Sequence, residues 1–148
     1  MKVLTSETEL SQQQLDQIKL WDIQYLGKVW YRSSACNLYF FIESDDCIGY
    51  AETLYNVALN RIDILWFCAP RNGTRCFEQL LVKLKDEMYN ESTKISLVVS
   101  INSQESPKAT PARLNLYYSF GFKTMQNYWP RTEQPSTSLR MGKMLYSN

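Results

Sequence analysis

Two guanidinium side chains, Arg71 and Arg75, flank Gly73 at a spacing that could hold an anion. The apolar run Ile62-Asp63-Ile64-Leu65-Trp66-Phe67-Cys68 precedes them, and Phe77, Leu80, Leu81, Leu84 and Met88 follow at helical spacing. That pattern predicts a strand, a tight loop and a helix. The first N–H groups of such a helix have no internal acceptors, and with the helix dipole they favour negative charge, most often a phosphate. On these residues alone a strand–loop–helix turn that binds nothing is the alternative, since every α/β protein contains such turns.

Other chemistries are excluded by composition. The chain has no histidine, which removes Ser-His-Asp and Cys-His nucleophile systems and histidine-bearing zinc sites together. Cys36, Cys47, Cys68 and Cys76 form no C-x-x-C pair, so neither a zinc ribbon nor a thioredoxin-type site is expected, and no metal. A net charge of +1 argues against a nucleic-acid protein that works through phosphate contacts. Residues 1–10 are too polar for a signal peptide, and no run approaches the length of a membrane span. The expectation is a soluble, cytoplasmic protein with reduced cysteines and no membrane partner. At 148 residues, a single domain over 1–148 can bury a core without disulfides or metal.

The elements that would position an anion site follow from local signals. Lys2-Val3-Leu4-Thr5 predicts a short strand, and Ser11 with Gln14 forms a capping box ahead of a helix to about residue 26. Val29-Trp30-Tyr31 predicts a second short helix or a turn. Residues 37–42 and 47–54 predict an antiparallel hairpin around Ser44-Asp45-Asp46. After the organising strand comes a helix over 75–89 and then a strand over 95–101. A strand–helix–strand unit of this kind makes its two strands parallel. Thr110-Pro111 and Gly121 bracket a short helix over 112–120, and residues 122–129 and 139–146 predict closing strands. The fold class is α/β, with a mixed central sheet of about six to seven strands flanked by helices.

Leu116-Tyr117-Tyr118-Ser119-Phe120-Gly121-Phe122 resembles the Leu-Tyr-x-x-x-Gly-Phe segment of the GNAT acetyltransferase superfamily. In the same order as in that family come Ile48-Gly49-Tyr50-Ala51, Phe67-Cys68-Ala69-Pro70, the pair Leu80-Leu81, and Met141-Gly142-Lys143-Met144-Leu145. The resemblance implies transfer of an acetyl group from acetyl-CoA to an amine on a small molecule or a protein, with a homodimer left open. It implies that the pantetheine arm lies between splayed strands near 65–69 and 97–101. The cofactor-binding residues would then be Phe67, Cys68 and Ala69 beside the pantetheine arm, and Arg71, Asn72, Gly73, Thr74, Arg75, Cys76 and Phe77 at the pyrophosphate, where helix physics also places an anion. One departure stands out. The family has small residues at the positions of Arg75 and Phe77, where a missing Cβ lets the backbone approach the phosphates. Gly73 could take over part of that role, and Arg75 could contact phosphate directly.

The resemblance also assigns roles. Tyr117 stands at the position of the general acid that protonates the departing thiolate, and the alternative is an aromatic core residue. With no histidine available, Glu52 and Asp63 are the candidate bases, and the alternative for each is a solvated strand-edge charge. The 102–110 loop carries an insertion relative to the family and reads either as an acceptor lid or as a tolerated surface loop. Tyr128-Trp129-Pro130-Arg131 reads either as a strand end or as an aromatic wall for the acceptor. A second functional class remains beside the enzyme: a GNAT-fold module that has lost CoA binding and serves as a protein-binding or regulatory domain.

Overall fold

The computed structural model describes residues 1–30, 32, 34–88, 95–102, 110–124 and 138–145. Among them lie seven strands: β1 (Lys2–Leu4), β2 (Asn37–Glu43), β3 (Asp46–Asn56), β4 (Arg61–Cys68), β5 (Ser96–Asn102), β6 (Lys123–Thr124) and β7 (Ser138–Met144). Three α-helices accompany them, α1 (Gln12–Leu26), α2 (Gly73–Glu87) and α3 (Thr110–Ser119), with one 3-10 turn at Glu7–Glu9. The strands form one mixed sheet in the order β1-β2-β3-β4-β5-β7-β6. The expected parallel pair is present: β4 and β5 are parallel neighbours, and all the other pairings are antiparallel.

Local chemistry explains several boundaries. The Ser11 hydroxyl accepts from Gln14 N–H at 3.2 Å, and Gln14 Oε1 accepts from Ser11 N–H at 2.8 Å, completing the capping box of α1. Gln14 Nε2 also donates to the Asp45 carbonyl at 2.8 Å, tying the start of α1 to the β2–β3 turn. That turn places Ser44 and Asp45 at φ 50° and 66°, the left-handed pair that matches the twist of a two-residue hairpin. Gly121, at φ 88°, ends α3 and turns the chain so that Phe122 N–H donates to the Tyr117 carbonyl at 3.1 Å.

Three elements differ from the sequence reading. Val29 and Trp30 form neither a helix nor a turn, and Trp30 N–H is taken by the Asp22 carboxylate at 3.1 Å, while Tyr31 lies outside the described residues. α2 begins two residues earlier than expected, because the Asn72 side chain caps it by accepting from Arg75 N–H at 3.2 Å. β6 comprises only Lys123 and Thr124 among the described residues. Residues 103–109 of the 102–110 loop, and the 128–131 segment, lie outside the described residues.

Two cores sandwich the sheet. On one face, α2 and α3 pack Phe77, Leu80, Leu84 and Tyr117 against Phe41, Ile62, Ile64 and Leu97. On the other, α1 packs Ile18, Trp21 and Leu26 against Phe40, Tyr50, Trp66 and Cys68. β4 supplies both layers by alternation. Its residues Ile62, Ile64 and Phe67 face α2, whereas Trp66 and Cys68 face α1. The alternation changes phase at Leu65, an extra residue in β4. Glu52 pairs with Trp66 and Thr53 with Ile64, leaving Leu65 as a bulge.

Candidate active site

The bulge marks the place where the sheet opens. β4 and β5 are in register from Arg61↔Ser96 to Ile64↔Val99, and no further. Beyond that point β4 stays with β3 as far as Cys68↔Tyr50, while β5 stays with β7 as far as Asn102↔Ser138. Residues 65–68 and 100–102 therefore diverge. A cleft of about 910 Å³ lies at this end of β4. Its walls come from Phe67, Cys68, Ala69 and Pro70 at the end of β4, from Gly73 and Thr74 at the start of α2, from Gln24 and Tyr25 of α1, and from one side of α3 (Ala112, Arg113, Asn115, Leu116 and Ser119).

The proposed anion site borders this cleft. The first intrahelical bond of α2 is made by Cys76 N–H to the Asn72 carbonyl at 3.2 Å, and Asn72 Oδ1 takes Arg75 N–H. The amides of Gly73 and Thr74 come before these bonds, at the positive end of the helix dipole. A Cβ added to Gly73 would meet only Leu116 Cδ2 at 3.6 Å, so packing does not require glycine there. Arg71 and Asn72 are exposed beside it. Arg75 is ion-paired with Glu43 at the end of β2, and its charge is directed there.

Cys76 and Phe77 are fully buried. The Phe77 ring lies within 5.1 Å of Phe67, 5.6 Å of Tyr117, 4.9 Å of Phe120 and 5.8 Å of Phe122, measured between centroids. Its bulk therefore fills the core under α2 rather than the space outside the loop. Glycine here would empty an aromatic cluster.

Tyr117 belongs to that same cluster, 1% exposed and packed on Phe77 and Phe122. The α3 residues that line the cleft are Ala112, Arg113, Asn115, Leu116 and Ser119, with Leu116 directly beside Tyr117 in the chain. Asp63 is half-buried in the stretch where β4 and β5 are still joined, and Arg61 grips it through Nε at 2.8 Å and Nη2 at 3.1 Å. Glu52 is 2% exposed, directly opposite Trp66 across β3 and β4. The Trp30 indole N–H donates to Glu52 Oε2 at 2.5 Å, so this carboxylate is no solvated strand-edge charge.

Around Trp66 lies a buried polar network that sequence reasoning did not find. Trp66 Nε1 donates to the Tyr50 hydroxyl at 2.6 Å, and that hydroxyl donates to Asp22. Asp22 is wholly buried and also accepts from Trp30 N–H and from Arg32 Nη2 at 3.0 Å. The Arg32 guanidinium sits over the Tyr50 ring at 4.9 Å. Burial, the hydrogen bond to Asp22 and the charge of Asp22 all push the Tyr50 phenol far above its ordinary range. The Trp30 and Trp66 rings stack at 5.9 Å and 20°.

Trp66 also meets a cation. Arg113, 8% exposed, sets its guanidinium carbon 4.4 Å from the centroid of the Trp66 ring. Tyr117 of α3 packs in the α2 layer and the Trp66 ring in the α1 layer, and Arg113 lines the cleft while contacting Trp66. Tyr25 borders the same space. Burial and nearby Cys68 push its phenol up, and Arg113 draws it back down. The available signal for Arg113 was its place as the one charged residue in α3, Thr-Pro-Ala-Arg-Leu-Asn-Leu-Tyr-Tyr-Ser. Among the described residues no group of three or more His, Cys, Asp or Glu could hold a metal, and no helix is long and apolar enough to cross a membrane.

No protein-family model matches the sequence, and no curated protein matches it significantly. Solved structures do resemble it along nearly their whole length. The ribosomal-protein-S18-alanine N-acetyltransferase from Escherichia coli superposes with a TM-score of 0.61 at 15% identity, covering 99% of this chain and 96% of that one. A Bacillus subtilis acetyltransferase in complex with CoA gives 0.59 at 12% identity, covering 97% of each chain. A protein from Desulfovibrio desulfuricans described as a GNAT-family acetyltransferase gives 0.58 at 13%, covering 97% and 99%. Each superposition covers 96% or more of both chains. The chain has the fold of the GNAT acetyltransferases.

Proposed function

We propose that this chain is an acetyl-CoA-dependent N-acetyltransferase of GNAT type, acting on an amine carried by a small molecule or a protein. The observation that supports this most is the parting of β4 from β5 beyond Ile64 and Val99, with the amides of Gly73 and Thr74 at the mouth of the resulting cleft. A thioester cosubstrate supplies the activated acetyl group when bound. The chain's own contribution begins with charge: the α2 N-terminus and exposed Arg71 suit a pyrophosphate. The backbone of residues 67–69, on the rim of the opening, suits an extended amide-bearing arm. Because Phe77 is turned into the core, the loop has room for phosphates despite lacking the family's second small residue.

In this reading Arg71, Asn72, Gly73 and Thr74 form the phosphate end, and Phe67, Cys68 and Ala69 the pantetheine wall. Arg75, Cys76 and Phe77 hold the loop's shape from behind. Glu52 and Asp63 stay the two candidate bases, each with a partner in place: Trp30 holds Glu52, which lies opposite Trp66, and Arg61 holds Asp63. Tyr117 stays the candidate acid, and its role requires the hydroxyl to reach the cleft from inside the aromatic cluster.

A second reading has a specific observation in its favour. Arg113 lines the cleft that a pantetheine arm would need, which suits a GNAT-fold binding module without cofactor. Calorimetry with CoA and acetyl-CoA separates the two. Micromolar binding with a rise in melting temperature is expected for the enzyme by mass action. No heat and no shift at millimolar cofactor would leave the module reading standing instead.

A further inference from the structure

We propose that the Trp30 indole stands in the place of an acceptor, and that the amine taken there bears an aromatic ring, with the ring on Trp66 and the nitrogen on Glu52. The inference deepens the acetyltransferase reading and rests on it only for calling the ligand an acceptor. Three observations carry it. The Trp30 ring stacks on Trp66 at 5.9 Å and 20°, while its N–H donates to Glu52 Oε2 at 2.5 Å. One flat ring thus meets an aromatic face and a buried carboxylate at once. Next, both of its partners are fixed parts of the sheet. Trp66 and Glu52 are buried and paired across β3 and β4, and Trp66 is held by its N–H bond to Tyr50. Finally, Trp30 is itself half-buried in irregular backbone, with its main-chain N–H anchored on Asp22. Rotation about its side-chain bonds is enough to take the ring off Trp66 and leave the backbone in place.

A buried carboxylate keeps a hydrogen-bond donor, so whatever displaces the indole has to bring one. A hydrocarbon brings none. An aliphatic amine brings the donor and leaves the Trp66 face without a ring. An aryl-bearing amine brings both, and its positive charge strengthens the bond to the carboxylate. The place adjoins the cleft, since Phe67 and Cys68, which follow Trp66 in β4, belong to the cleft wall. While the indole occupies it, the apparent affinity for a ligand is lowered by the fraction of time the place is open.

Benzylamine and cyclohexanemethylamine are the matched probes, equal in charge and close in size, with binding to the full-length chain read by ligand-observed NMR in the absence of cofactor. Trp30→Ala is expected to bind benzylamine about tenfold or more tighter than the wild type. It should prefer benzylamine to cyclohexanemethylamine by about threefold or more. Trp30→Phe keeps a ring but drops the N–H, so its gain should be smaller. Adding Glu52→Gln to Trp30→Ala should weaken benzylamine by about fivefold, because the bond to nitrogen loses its charge.

An affinity in Trp30→Ala equal to or below that of the wild type overturns the proposal. Equal binding of the two amines does so too, as does a Glu52→Gln change without effect. If Trp30→Ala does not fold, Trp30→Phe carries the same comparisons. Calorimetry with acetyl-CoA tests the acetyltransferase reading separately. If no cofactor binds while the benzylamine pattern holds, that reading fails and the site for an aryl-bearing amine stands.

Discussion

Phe77 stands edge-on to Phe67, their ring centroids 5.1 Å apart, where the end of β4 passes beneath the first turn of α2. This contact joins the two elements that frame the mouth of the cleft, and Tyr117, Phe120 and Phe122 extend it. Phe77→Ala should cost about 3–5 kcal/mol, as for other large-to-small changes in packed cores. Phe77→Gly should cost more, since it adds the helix penalty of glycine. Urea unfolding measures both. A cost under about 1 kcal/mol would mean the ring is not packed as described.

Tyr117→Phe removes one oxygen from the aromatic cluster. If the hydroxyl protonates the leaving thiolate, kcat should fall by about a hundredfold or more with little change in affinity for acetyl-CoA. Tyr118→Phe, on the exposed side of α3, is the matched control and should leave the rate unchanged. Equal behaviour of the two variants would assign Tyr117 to packing.

Asp22 accepts from Tyr50, Trp30 N–H and Arg32 while wholly buried. Removing it takes the closest carboxylate from a largely buried guanidinium, leaving Arg32 with Glu7 at 3.5 Å and the Trp30 carbonyl at 3.1 Å, and takes the acceptor of Trp30 N–H. Asp22→Ala should therefore destabilise by about 3–5 kcal/mol. The network also orients Trp66, so near-ultraviolet circular dichroism should change in the folded variant. An unchanged spectrum and melting temperature would refute this account.

Alkaline pH should destabilise the fold. Burial pushes the Cys47 thiol up to about 11. It pushes Cys76 up to about 12, with Cys47 and Glu43 adding to the effect. Both ordinarily titrate at 9.0. The folded state thus holds neutral thiols that the unfolded chain ionises. Their contribution is complete below pH 9 and is lost as pH rises through about 11 and 12. Tyr39 and Tyr50, raised mainly by burial, act in the same direction. Melting temperature should fall steadily across this window. In the native protein at pH 8, Cys47 and Cys76 should resist iodoacetamide and react only on unfolding. Rapid labelling of either would contradict their burial.

What the sequence determined by itself was everything whose cause lies within a few residues. The capping box of Ser11 and Gln14, the Ser44-Asp45 turn and the Gly121 helix stop are all local events, fixed by side-chain oxygens and left-handed backbone. The parallel pairing of β4 and β5 was also legible, because a helix between two strands leaves one favoured way back onto the sheet.

Tertiary structure decided where the cleft lies and what charge it holds. The bulge at Leu65 exists only against β3, since alternation along β4 alone cannot say that Trp66 and Phe67 change phase relative to Ile64. Phe77 occupies a position where the family pattern has a small residue, and only its contacts with Phe67 and Phe120 reveal that it points inward. Glu52 is sealed by Trp30, a residue read from sequence as part of a short helix or turn and found in irregular backbone. Arg113 meets Trp66 from α3, which follows β4 in the chain only after α2 and β5. No periodicity encodes such a contact, because periodicity describes one element at a time and the contact needs two.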